Sequence, residues 1–553
     1  MAEERLPARP APSDPATTGV LMALALKHAG LGPIFTLNGG HVWGLYLGAD
    51  ELGIPMIDVR HEQTAGFAAE GWAKVTRKCG VAALTAGPGV TNAVSAMAAA
   101  HQNESPVLFL GGRAPMARWG MGSLQELDHL PVVSSLVKTA GTVLAAADAY
   151  RATGEAVRAA LSARTGPTFI DVPLDVFLGA EEPPEATEHL VVDAGGPPDP
   201  DQVRKVARLL AEARRPAVVA GTSVWWAHAE QELVNLAETA GLPVVLNGMA
   251  RGMLAPGHPL FASRARATAL GQADLLLVIG APLDFRLNFG QPPLISEEAR
   301  LVYVDVDARL KHRAAEAELF GDLRAALREL AEAVRDGPRR EDWISHVADA
   351  NAAAAARDRE LAAAGGAPVH PGRLVAEVGR FLDPDAIVVG DGGDFVSFAG
   401  RLLHRDQPGL WIDGGPYGCL GSGPGYALAA KLAHPDRQVL LLSGDGAFGF
   451  SAMEFDTLVR HRVPVVSVVG NNGIWALEKH TMERMLGTSL LADLTPGTRY
   501  DQVVEALGGY GELVDRPEAV GPALERAFRS GLPACVNVIC DPKAEYPRSS
   551  VLT

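Results

Sequence analysis

Apolar runs of strand length alternate with helix-periodic segments along almost the whole chain. That alternation leaves few folds open, because it is the pattern of parallel sheets covered by helices on both faces. In the first third the expected strands are 33–37, 55–59, 80–85 and 105–112, with helices over 61–75 and 89–102 between them. A second set of strands falls at 215–221, 242–248, 273–280 and 301–307, and a third at 386–393, 410–415, 438–446, 463–472 and 533–541. The fold expected is α/β, with three doubly wound parallel-sheet domains.

At 553 residues the chain exceeds a single core, and domains of roughly 100–200 residues suggest three. The Pro-rich, charged start reads as a disordered tail over 1–18, followed by a first domain over 19–185. An acidic, Pro-rich stretch at 186–198 is the first linker, and 199–340 the central domain. The Ala-rich linker 341–368 favours helix, and the last domain spans 369–553. Gly-rich strand ends in the first and last units suggest two related outer domains.

Bulk properties exclude several classes of function. A net charge of −16 argues against nucleic acid or an anionic membrane surface as partner. No apolar run approaches the ~20 residues of a membrane span, and no apolar signal core opens the chain. Cys79, Cys419, Cys535 and Cys540 form no CxxC pair, which fits a reducing cytoplasm.

The stretch LLSGDGAFGFSAMEFDTLVRHRVPVVSVVGNN (441–472) carries the chemistry. Its two apolar strands end in Gly-Asp-Gly and Asn-Asn, with one helix expected between them, and ligands of open α/β sheets bind beyond such strand ends. Asp445 and Asn472 offer hard oxygens suited to Mg²⁺ or Ca²⁺. Gly444 and Gly446 admit close approach of a phosphate, and a helix opening near Ala447 would direct N–H groups at it.

With 24 residues between Gly446 and Asn471, this stretch resembles the diphosphate motif of thiamine diphosphate enzymes. The resemblance implies Asp445, Asn472 and the Ile474 carbonyl as metal ligands, and a pyrimidine-binding first domain. Glu62, in IDVRHEQTAGFAAEGWA, stands where that family keeps the carboxyl that protonates the pyrimidine ring and makes it an acid/base partner. TAGPGVTN (85–92) matches the family's Gly-Pro-Gly turn. GPYGCLGSGPGYALAAKLA (415–433) resembles the segment in which a carbonyl (Gly418) binds the 4′-amino group and an apolar side chain (Leu420) wedges the cofactor. The resemblance further implies a homodimer at least, often doubled to a homotetramer.

Nearly the whole chain looks like the branch containing acetolactate synthases, oxalyl-CoA decarboxylases and 2-hydroxyacyl-CoA lyases. GSLQELDHLPVV (122–133) places Gln125 and Glu126 near the substrate, with His129 as a reserve base. NNGIWALEKHTMERMLG (471–487) is similar to bacterial 2-hydroxyacyl-CoA lyases, those acting on 2-hydroxyisobutyryl-CoA above all. It implies that Glu483 faces the reacting carbon; the alternative is a charged helix face shared by Glu478, Lys479, His480 and Glu483. In the central domain Arg264, Arg266 and Arg286 could meet phosphates, and Asp305 or Asp307 a ribose, of ADP, substrate CoA or FAD. The C-terminal DPKAEYPRSSVLT is expected either to fold over the substrate as a lid or to fray. The activity implied is reversible cleavage of a 2-hydroxyacyl-CoA to formyl-CoA and a ketone or aldehyde. Oxalyl-CoA decarboxylase, acetolactate synthase and a non-catalytic regulatory subunit are the alternatives.

Overall fold

A computed structural model describes residues 16–183, 192–308 and 313–547 of the chain. The expected tail therefore lies outside the described residues as far as position 15, as do 186–191 of the first linker and the last six residues. The chain divides into two compact units, Met1–Val192 and Asp193–Thr553.

The first unit is built on a six-stranded sheet. Its strands are Ile34–Thr36 (β1), Met56–Asp58 (β2), Gly80–Leu84 (β3), Val107–Arg113 (β4), Ala140–Thr142 (β5) and Thr168–Pro173 (β6). The order β2-β1-β3-β4-β6-β5 is parallel throughout. All five residues of β3 are buried, as expected of a central strand covered on both faces. Glu62–Thr76 (α1) follows β2, and its N-terminus is capped by His61, whose ring accepts from Gln63 N–H. The expected helix over 89–102 is interrupted: Pro88–Asn92 (α2) ends at Ala93, and Val94–Gln102 (α3) begins anew.

The second unit holds two sheets. The central one contains Pro216–Ala220 (β7), Val244–Leu246 (β8), Leu275–Ile279 (β9), Arg300–Asp305 (β10) and Ala317–Phe320 (β11) in the order β8-β7-β9-β10-β11. The last contains Ile387–Asp391 (β12), Trp411–Asp413 (β13), Val439–Gly444 (β14), Val466–Asn471 (β15), Tyr510–Val514 (β16) and Ala534–Ile539 (β17). Its order, β13-β12-β14-β15-β17-β16, repeats that of the first sheet strand for strand. The second linker is largely one helix, Glu341–Ala362 (α4), in line with its alanines.

Beyond β12 comes Asp394–Leu402 (α5). The single helix expected after Gly-Asp-Gly is instead two, Asp445–Ser451 (α6) and Glu454–Arg460 (α7). Gly446 and Gly449 make the first of these a poor helix former, which accounts for its ending after two turns. Ala476–Leu486 (α8) follows β15.

Candidate active site

In the last sheet β14 and β15 are parallel neighbours paired through Gly444 and Gly470, so Asp445 and Asn472 leave adjacent strand ends. Asp445 is buried, and its Oδ2 accepts from Gly473 N–H at 2.7 Å and its Oδ1 from Gly446 N–H at 3.0 Å. Burial pushes its pKa up to about 6 despite those bonds. Among the described residues no cationic side chain pairs with this carboxylate, which fits a cation as its counter-charge. Of the two asparagines, Asn471 turns into the sheet, donating to Thr498 O and Asn537 Oδ1. Asn472 stays half-exposed, its Oδ1 accepting from Ile474 N–H at 3.2 Å. Oxygen ligands at these positions suit Mg²⁺. Beside them, a Cβ on Gly444 would meet open space, whereas one on Gly446 would come within 2.4 Å of the Trp475 ring. The first glycine leaves a cradle, and the second admits an indole. Ala447 is buried in α6.

The segment 415–423 is held by Asp391 at the end of β12. Its Oδ1 accepts from Gly421 N–H at 3.0 Å and its Oδ2 from Gly423 N–H at 2.8 Å, one residue and three residues past Leu420. Burial raises the Asp391 pKa to about 6, against the pull of those two bonds. Gly418 adopts φ +76°, and a Cβ there would meet nothing within 4 Å.

Gly418 and Leu420 line a cavity of about 930 Å³ that is also lined by Arg264, Arg266, Arg286 and His404. The three arginines differ in what they have left to offer. Arg264 gives both Nε and Nη2 to Asp358 of α4, which Arg401 also binds at 2.7 Å. Burial opposes charge on Asp358, but these hydrogen bonds outweigh it and hold the carboxyl below the usual range. Arg286 is forked onto Asp284. Arg266, by contrast, keeps its buried Nε without a partner among the described residues. Burial and the neighbouring Arg286 charge lower its pKa to about 10, still protonated at neutral pH. His404 is pulled down to about 4 by burial and is neutral there. Asp305 is buried at the end of β10 and Asp307 exposed beyond it; neither lines this cavity.

In the first unit Glu62 opens α1 and is only 7% exposed. Asn92 Nδ2, at the end of α2, donates to its Oε2 at 3.0 Å. Gln125 has a left-handed backbone, φ +59°, and accepts from Thr85 Oγ1 at 3.4 Å. The two Glu126 oxygens accept from Gly120 and Ser123 N–H, tying down their own loop. His129, expected as a reserve base, is held at both ring nitrogens. It is fully buried, Nδ1 donating to Asp171 Oδ2 at 2.8 Å and Nε2 accepting from Gly87 N–H at 2.9 Å. With both nitrogens committed, it holds the Gly-Pro-Gly turn.

Glu483 lies on the exposed side of α8, accepting from Ser489 Oγ at 3.1 Å and standing 3.8 Å from Lys479 Nζ. The same helix lends Leu477 to the cavity. The described part of the C-terminal segment runs along α8: His480 Nε2 donates to Pro542 O at 3.0 Å, and Arg484 pairs with Glu545. Tyr546 then packs edge-on against Phe398 and, with Pro547, lines the cavity. The pairings Asn92–Glu62, His129–Asp171, Asp391 with 421–423 and Arg264–Asp358 were not found from sequence. They span 30, 42, 32 and 94 residues respectively, and no local pattern marks them.

Comparison with known proteins bears on this geometry. Residues 16–132 match the profile of the thiamine pyrophosphate enzyme N-terminal TPP binding domain, 203–330 that of the central domain, and 391–538 that of the C-terminal TPP binding domain. The chain is 53% identical over 548 residues to a Mycobacterium bovis protein named "Probable acetolactate synthase", covering 98% of this chain and 99% of that one. It is 34% identical over 572 residues to the human "2-hydroxyacyl-CoA lyase 2", covering 94% and 89%, and 31% identical over 556 residues to a rice "2-hydroxyacyl-CoA lyase", covering 95% of each. Among the described residues no helix is long and apolar enough to cross a membrane.

Proposed function

The chain belongs to the thiamine pyrophosphate enzyme family, and from that premise we propose that it is a carbon–carbon lyase acting on 2-hydroxyacyl-CoA thioesters. The observation that carries this reading is the shared cavity. The turn bearing Gly418 and Leu420 opens into the same space as buried, cationic Arg266, so a thioester with a nucleotide tail has room for its acyl end and its phosphates together. Similarity to the human and rice 2-hydroxyacyl-CoA lyases supports it.

When bound, thiamine diphosphate supplies an electron sink beside the substrate carbonyl. The chain's own part is to bind and to manage protons. Asp445, Asn472 and the Ile474 carbonyl would hold Mg²⁺, and the α6 turn would receive the diphosphate. Glu62 would hold the proton at the pyrimidine ring nitrogen, the Gly418 carbonyl would accept from the 4′-amino group, and Leu420 would pack against the cofactor. Glu483 would take the proton of the 2-hydroxyl as the bond to the hydroxyl-bearing carbon breaks and a ketone or aldehyde leaves, and would return that proton to the former thioester carbon, which departs as formyl-CoA. Gln125 lies on the substrate side. Arg266 meets the phosphates of CoA, or of an accompanying ADP, and Arg264 and Arg286 flank it. The catalytic unit is a homodimer at least, often doubled to a tetramer, as the family resemblance implies, and the unpaired cysteines fit a reducing cytoplasm.

A second reading, acetolactate synthesis, is favoured by the 53% identity to the mycobacterial protein of that name. One set of incubations separates the two. With thiamine diphosphate and Mg²⁺, 2-hydroxyisobutyryl-CoA should yield acetone and formyl-CoA, while pyruvate yields no acetolactate. Acetolactate from pyruvate with no acetone from the thioester would establish the second reading, and CO₂ from oxalyl-CoA alone would make the enzyme a decarboxylase.

A further inference from the structure

Glu62 is almost buried, yet it receives little from the protein. Its Oε2 accepts from Asn92, and its Oε1 takes no hydrogen bond among the described residues. Asn92 is not loosely placed. It closes the single turn of α2, whose first N–H neighbour, Gly87, is fixed by His129, and the turn is shut by Thr91 N–H donating to Gly87 O at 3.0 Å. His129 is in turn fixed by Asp171 on β6, which also receives Arg113 at 3.1 Å. Since Gly87 N–H donates to Nε2, the histidine proton must be on Nδ1, facing Asp171. Nothing larger than glycine fits at Gly87: with φ +59°, a Cβ there would lie 2.8 Å from Gln125 O.

The geometry points to Asn92 as a positioning residue for Glu62, held at its post by the Asp171–His129–Gly87 brace. By occupying Oε2 with a donated hydrogen bond, it reserves Oε1 as the oxygen that exchanges a proton with the cofactor's ring nitrogen and fixes the carboxyl's tilt. This inference rests on the proposed role of Glu62. Asn92 touches no reacting atom, and it acts through the carboxylate alone.

The test uses the full chain with thiamine diphosphate and Mg²⁺, comparing Asn92→Ala with the isosteric Asn92→Asp, which replaces a donor by an acceptor facing a carboxylate. Three quantities are read: the rate at which the thiazolium carbon of bound cofactor exchanges its proton for deuterium, calorimetric cofactor affinity, and amide hydrogen exchange over 85–92 in the unliganded protein. Proton exchange should slow roughly 10- to 100-fold in Asn92→Ala, the scale of a lost hydrogen bond to a charged group, and further in Asn92→Asp. Affinity should change by less than about 10-fold. His129→Ala should raise amide exchange over 85–92 without any cofactor present. If the Ala variant is slower than the Asp variant, Asn92 merely fills space and the inference falls. Unchanged proton exchange in both Asn92 variants, with Glu62→Gln still slow, overturns the positioning role alone. Unchanged exchange in Glu62→Gln overturns the reading beneath it.

Discussion

The first and last sheets share one strand order, and their equivalent central strands β3 and β14 both end in glycine turns, yet the two turns are built to opposite purposes. After β3 the turn is Thr85-Ala86-Gly87-Pro88-Gly89. Gly87 N–H is committed to His129 and Pro88 has none to offer, so the protein itself consumes the turn's polar groups. After β14 the corresponding position carries Asp445, a buried carboxylate that gathers two backbone N–H groups and no cationic side chain among the described residues. One turn is a brace and the other a socket. Common topology supplies the location, and a single residue type decides whether the strand end serves the protein or a ligand.

That contrast can be broken most forcefully at the socket. Asp445→Ala should lower Mg²⁺-dependent affinity for thiamine diphosphate by roughly 100-fold or more, beyond the 10- to 100-fold typical of outer ligand partners. Glu62→Gln should leave affinity within about 10-fold while cutting kcat by roughly 10²–10⁴, the range of acid/base assistance. Equal losses of affinity in both variants would erase the distinction. Glu483→Ala should reduce thioester cleavage by about 10² with cofactor binding intact, measured as acetone release; retained turnover would return Glu483 to the charged helix face with Lys479.

Asp391 sharpens the comparison through pH. Its folded pKa, about 6, lies above the ordinary 3.8 because it is buried. The protonated carboxyl therefore favours the folded state fully below pH 3.8, and that advantage is lost as pH rises through about 6. The slope amounts to about 3 kcal/mol across this window. Denaturant midpoints should show it in wild type and lose this share in Asp391→Asn, the similar share from Asp445, whose carboxyl burial raises likewise, remaining. The asparagine can accept only one of the two N–H groups from Gly421 and Gly423, so its cofactor affinity should also fall. Smallest is a pair of glycines: Gly446→Ala should destabilise the fold by about 1–3 kcal/mol through its clash with Trp475, whereas Gly444→Ala, facing open space, should leave the melting temperature unchanged.

Much of this was legible in the sequence because it is local. Long apolar runs such as those of β14 and β15 name their strands, and Gly-Asp-Gly and Asn-Asn mark where those strands end. Four strands of the three sheets went unread: β6, where Asp171 interrupts the apolar run TFIDVP and a proline ends it, and β5, β11 and β16, where AGT, AELF and YGELV are too short for a strand period to show. The charges of the arginines were visible, but not that Asp358 of α4 occupies Arg264 while Arg266 keeps a buried nitrogen free of partners among the described residues. His129 looked like chemistry because a histidine near candidate substrate residues invites that reading. Only the fold brings Asp171 and Gly87 to its two nitrogens and makes it part of the brace.

The measurement that bears most directly on the whole account is a calorimetric titration of the unmodified chain with thiamine diphosphate, with Mg²⁺ and then with the metal chelated. The account predicts saturable heat, one cofactor per chain, that disappears on chelation. Absence of heat with Mg²⁺ present, or binding indifferent to the metal, would contradict it.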